Sequence, residues 1–126
     1  MAEKIVIVED DQDLLDILKF IFQDEGFRVS GFTEICSTEL LISEAPNLVL
    51  LDLWLGEIPG EKILDSLKQD KRSHDVPVLM VSGAHKAGLI ADAHGADAFI
   101  AKPFDCDELI HTVKTLLNER HPLQRT

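Results

Sequence analysis

Two hydrophobic patterns alternate along the chain, and each predicts one kind of element. Residues 5–8 (Ile-Val-Ile-Val), 48–51 (Leu-Val-Leu-Leu) and 76–81 are short apolar runs, the pattern of strands buried on both faces. Between them the spacing becomes helical. Leu14, Leu15, Leu18, Ile21 and Phe22 share one face and are followed by Gly26, a residue that ends helices. Residues 27–32 are less apolar and read as an edge strand, after which Thr33 is expected to cap a helix reaching about Glu44, ahead of Pro46. Gly60 opens a helix with Ile63, Leu64 and Leu67 inward; a weak alanine-rich helix spans about 86–94, before Gly95. Residues 98–101 form a fifth strand. The last helix follows Asp105, which stands three residues before Glu108 as in a capping box, and carries Leu109, Ile110, Val113, Leu116 and Leu117 on one face.

Strict alternation of five strands with five helices implies an α/β fold, a parallel sheet with helices on both faces. The first and third strands are the most apolar and belong at the centre. A doubly wound sheet of order 2-1-3-4-5 satisfies this and opens a crevice at the carboxyl ends of strands one and three. The order comes from the doubly wound pattern; periodicity alone does not fix it.

Every strong strand ends in a residue with chemistry: Glu9 and Asp10 after the first, Asp52 on the third, Ser82 on the fourth, Lys102 on the fifth. In a parallel sheet these ends share one edge. Crowded carboxylates raise one another's pKa, and a bound cation removes the conflict. An incomplete set of hard oxygen ligands suits Mg²⁺. With such an ion, Asp52 is a candidate nucleophile for a phosphoryl group, Lys102 a neutralising charge and Ser82 a hydrogen-bond donor. Taken singly, each has a plainer reading: acids favouring a helix N-terminus, a serine in a turn, a solvated lysine. Their joint occurrence at successive strand ends favours the chemical one.

Charge sharpens this picture. With 23 acidic and 12 basic residues the formal net charge is −11, which argues against direct nucleic-acid binding. No apolar stretch has the length of a membrane span, and the N-terminus lacks a signal-peptide pattern. Cys36 and Cys106 match no metal or redox spacing and read as free thiols in a reducing, cytoplasmic setting. None of the five histidines shows ligand spacing.

The stretches 5–11, 50–53, 77–84 and 99–104 together resemble the receiver domain of two-component response regulators. The resemblance covers about residues 3–119. It implies a flavodoxin-like fold, and it implies that Asp52 is the phosphoacceptor. Asp10 and Asp52 would hold Mg²⁺ directly, Glu9 would assist through water, and the backbone carbonyl of Trp54 would be a further protein ligand. Ser82 and Lys102 would contact the phosphoryl group, Ser82 and Phe99 would form the switch pair, and the bond before Pro103 would be cis. It implies phosphoryl transfer from a sensor histidine kinase or histidine phosphotransfer protein, and a changed contact with a downstream protein. No turnover of external substrates is expected, and no organic cofactor. Residues 1–120 are expected to form one receiver unit, with 121–126 as a tail. Two departures stand out. Gly56 occupies a position where the family usually has proline, and the 20 residues from Ser82 to Lys102 are a shorter run than is usual.

Other functions fit the residues less well. An aspartate-nucleophile phosphatase wants a second Asp two residues past the first, and Trp54 is there. A flavodoxin-like carrier wants a hydroxyl- and glycine-rich phosphate loop after the first strand, where Glu9, Asp10 and Asp11 would repel phosphate. A phosphate-independent interaction module is the remaining alternative, kept open by the shortened segment.

Overall fold

The computed structural model describes residues 2–34, 37–55 and 58–119, with the side chains of Trp54, Leu55 and Ile58 also outside the described part. Its elements are β1 (Lys4–Val8), α1 (Gln12–Asp24), β2 (Arg28–Phe32), α2 (Thr38–Ser43), β3 (Leu48–Asp52), β4 (Trp54–Leu55), β5 (Ile58–Pro59), α3 (Gly60–Gln69), β6 (Val78–Ser82), α4 (Ala87–Ala93), β7 (Ala98–Ala101) and α5 (Cys106–Glu119). Five strands form one sheet in the order β2-β1-β3-β6-β7, all in parallel. This is the expected 2-1-3-4-5 order, with the less apolar β2 at one edge.

The unbroken apolar runs are explained by burial from both sides. Alternate residues of each strand feed two cores. Ile5, Ile7, Leu48, Leu50, Leu79 and Val81 pack against Leu15, Leu18 and Phe22 of α1 and Leu109, Val113 and Leu117 of α5. Val6, Val8, Val49, Leu51, Val78 and Met80 pack against Leu41 of α2, Ile63, Leu64 and Leu67 of α3, and Ala87 and Ala91 of α4. All residues of β3 are buried. No helix among the described residues is long and apolar enough to cross a membrane.

Several boundaries differ from the expectation, each for a local reason. Helix α2 begins at Thr38 with Ser37 as its N-cap, so Thr33 is not the cap; it sits in a bend directly after β2. Strand β6 starts at Val78, two residues late. The N–H of Val76 is taken up by Ser73 O in a turn, and Pro77 has no N–H to give a ladder. An antiparallel ribbon, β4 with β5, was not anticipated; it pairs Trp54 with Pro59 and Leu55 with Ile58. The anticipated caps are present elsewhere. Gly26 and Gly95 end α1 and α4 with φ of 96° and 85°, and Asp105 Oδ1 accepts from the N–H groups of Asp107 and Glu108. Cys36, Gly56 and residues 121–126 lie outside the described part.

Candidate functional site

The parallel register brings the strand ends to one edge. Asp52, the last residue of β3, lies opposite Val81 of β6, and Ser82, the last of β6, lies opposite Ala101 of β7. The ladder runs one step beyond β1 and β7: Glu9 N–H donates to Phe32 O at 3.0 Å, and Lys102 N–H to Ser82 O at 3.0 Å. Glu9 and Lys102 are thereby fixed by backbone bonds on opposite sides of Asp52.

Their side chains converge. Lys102 Nζ donates to Glu9 Oε1 at 2.7 Å and to Asp52 Oδ2 at 3.2 Å. Glu9, Asp10 and Asp52 each place a carboxylate oxygen within 4.8 Å of the others. Glu9 is 1% exposed and Asp52 7%, whereas Asp10 faces solvent. The cluster therefore has a buried floor and an open side. Asp11, the third acid of the run, is not part of it. Its Oδ1 accepts from the N–H groups of Asp13 and Leu14 as the N-cap of α1, the plainer helix-terminus role.

Burial dominates the electrostatics of Glu9. Removal from water lifts its carboxyl to about 7, against the pull of the Lys102 ammonium and of the Asp11 N–H, and the Asp52 charge adds to the rise. Burial works against the Lys102 charge too, but the hydrogen bond that Lys102 donates to Glu9 and the fields of Asp52 and Glu9 outweigh it and hold Lys102 above its ordinary value. Three carboxylates face one ammonium. That surplus of hard oxygen donors, open on the Asp10 side, fits a small divalent cation. Trp54, expected to add a carbonyl ligand, begins β4 two residues after Asp52.

Ser82 is 2% exposed. Its Oγ accepts from Ala84 N–H at 3.1 Å, which leaves the hydroxyl proton free to be donated elsewhere. Phe99, on β7 opposite Met80, is half-buried and packs on the core beneath α4. The Lys102–Pro103 peptide bond is cis. Ser82, Phe99 and Lys102 also line a groove of about 370 Å³ between α4 and β7, with Ala84, Lys86 and Gly88. His85, given no role from the sequence, is next to that groove in the chain.

One positioning residue was missed. By its sequence pattern Gly60 is only a helix start. A Cβ there would lie 2.1 Å from Asp52 O and 2.8 Å from Leu53 Cα, so the first turn of α3 presses directly on the backbone that carries Asp52. The only sequence signal was a glycine at a helix start, where better helix formers are available.

Comparison with known proteins gives a consistent result. The family model described as the response regulator receiver domain matches residues 5–114. Regulatory protein VanRc from Enterococcus gallinarum is 36% identical over 120 residues, 93% of this chain and 51% of that protein. The chain thus spans about half the length of this relative. The crystal structure of the receiver domain of NtrX from Brucella abortus is 34% identical, with a TM-score of 0.81 over 90% of this chain and 98% of that one. A CheY-like response regulator receiver domain protein from Methanospirillum hungatei JF-1 is 26% identical, with a TM-score of 0.83 over 97% of this chain and 98% of that one. With a strand-end constellation of two acids, an aspartate, a serine and a lysine on this sheet, and a match over most of its length, the chain belongs to the response regulator receiver domain family.

Proposed function

We propose that this receiver domain is a phosphorylation-driven switch with Asp52 as its phosphoacceptor. The observation that carries the reading is the position of Lys102 Nζ, bonded at once to Glu9 and Asp52 at the rim of a three-carboxylate cluster. An Asp52 oxygen attacks the phosphorus of a phosphohistidine on a sensor kinase or phosphotransfer protein. The new P–O bond forms as the P–N bond breaks, and the departing imidazole takes up a proton. Lys102 exchanges its contact with Asp52 Oδ2 for the phosphoryl oxygens, and the Ser82 hydroxyl donates to them. Glu9, Asp10, Asp52 and the Trp54 carbonyl would hold Mg²⁺. When bound, that ion supplies neutralisation of the charge on the transferring group.

The added charge then draws Ser82 and Phe99 toward the site and shifts a two-state equilibrium of β6, α4 and β7. A near-complete shift takes about 5.5 kcal/mol of differential stabilisation; a few charge-assisted contacts at about 1.5–3 kcal/mol each supply it. The shifted surface changes contacts with a downstream protein. No turnover of external substrates belongs to this reading. A cytoplasmic location and a single receiver unit over residues 1–120 do.

Beryllofluoride, a phosphoryl mimic, tests the proposal. With Mg²⁺ it should move the backbone amide resonances of residues 82–102 in the native chain and leave them unmoved in Asp52→Asn. Equal shifts in both proteins, or none in the native chain, overturn it.

A further inference from the structure

Helix α4 has seven residues, Ala87–Ala93, and the second of them is a glycine, Gly88. Glycine is the poorest helix former apart from proline, and this helix has little to spare. Its N-cap, Lys86, is held in the left-handed region at φ 62° with no side-chain capping bond, and its buried residues are two alanines. The glycine has a steric counterpart across the groove. A Cβ at position 88 would lie 3.3 Å from both Cδ2 and Cε2 of Phe99, closer than carbon atoms ordinarily pack. The ring edge therefore rests on the space where a side chain would begin. Phe99 packs against the same core as the small residues Ala84, Ala87 and Ala91.

We propose that Gly88 is a positioning residue, the seat that holds the Phe99 ring in the resting arrangement and so couples the site to α4. The arrangement is resting in a definite sense: Lys102 is bonded to Asp52 itself, a contact that phosphorylation replaces. The inference rests on the phosphorylation reading above. Filling the seat penalises the resting position of the ring, and every state that needs that position, without touching Asp52, Ser82 or Lys102.

The test is a double-mutant cycle on beryllofluoride affinity in the presence of Mg²⁺. Gly88→Ala should bind about threefold or more tightly than the native chain, the lower range of coupling for touching residues. In a Phe99→Ala background the same substitution should change affinity by less than about 1.5-fold, because no ring remains to be displaced. Gly88→Ser adds the same Cβ with a smaller gain in helix propensity and should reproduce the tightening, separating the seat from helix stiffening. Equal effects of Gly88→Ala with and without the Phe99 ring, or unchanged or weaker binding in the native background, overturn the proposal. A native chain that binds no beryllofluoride overturns the underlying reading instead, so the two failures are distinguishable.

Discussion

At Glu9, burial and the Lys102 ammonium pull in opposite directions, and burial prevails. The folded chain keeps the Glu9 proton up to about 7, whereas the carboxyl ordinarily loses it near 4.5. Between those values the folded state binds more protons than the unfolded one, so the Glu9 contribution to stability falls as pH rises from about 4.5 through about 7 and is constant beyond. Glu9→Gln removes that slope. Its melting temperature relative to the native chain, in chelator, should rise with pH across this window; a difference independent of pH would refute the assignment. Gly60 makes a second, purely steric prediction. A Cβ there overlaps Asp52 O, so Gly60→Ala should lose about 1–3 kcal/mol in denaturant unfolding and slow phosphorylation by acetyl phosphate. Unaltered stability and rate would mean that α3 does not set the Asp52 backbone. Sequence disclosed the charged residues here because charge at the end of an apolar strand is conspicuous. It concealed the Gly60 contact, because two backbone segments distant in pattern meet only in three dimensions.

Among the elements, α4 and α5 are an unequal pair. Helix α5 has fourteen residues, a side-chain cap from Asp105 and three buried anchors, Leu109, Val113 and Leu117. Helix α4 has half that length and no side-chain cap bond, and its Leu89 is 70% exposed. Local opening is easiest where few apolar contacts are lost. Amides of α4 should therefore exchange with solvent well before those of α5 under native conditions; equal protection would contradict the picture of α4 as the segment that moves. The weakness was legible from composition, since alanine and glycine offer no large side chain to bury. The start of α2 was not. Thr33 and Ser37 are both capping residues by type, and the choice between them depends on how the chain leaves β2. The β4–β5 ribbon escaped notice for a related reason: strands of two residues leave no period to read.

For the whole molecule, the doubly wound sheet accounts for both the cores and the site. Helices on both faces require strands apolar on both sides, which is why β1, β3 and β6 read as unbroken runs. Parallel strands then deliver every carboxyl end to one edge, so residues separated by 93 positions, Glu9 and Lys102, meet at 2.7 Å. Fold and site were legible together because the same alternation dictates both. Strand order needed the doubly wound rule, and the roles of the site residues needed the family resemblance, because three acids near a lysine do not by themselves name a phosphoryl acceptor. The central claim is that an Asp52 oxygen becomes bonded to phosphorus. Intact mass after incubation with acetyl phosphate and Mg²⁺ tests it most directly. The native chain should gain the mass of one phosphoryl group, and Asp52→Asn should gain none; an equal gain in both, or no gain in the native chain, would contradict the account.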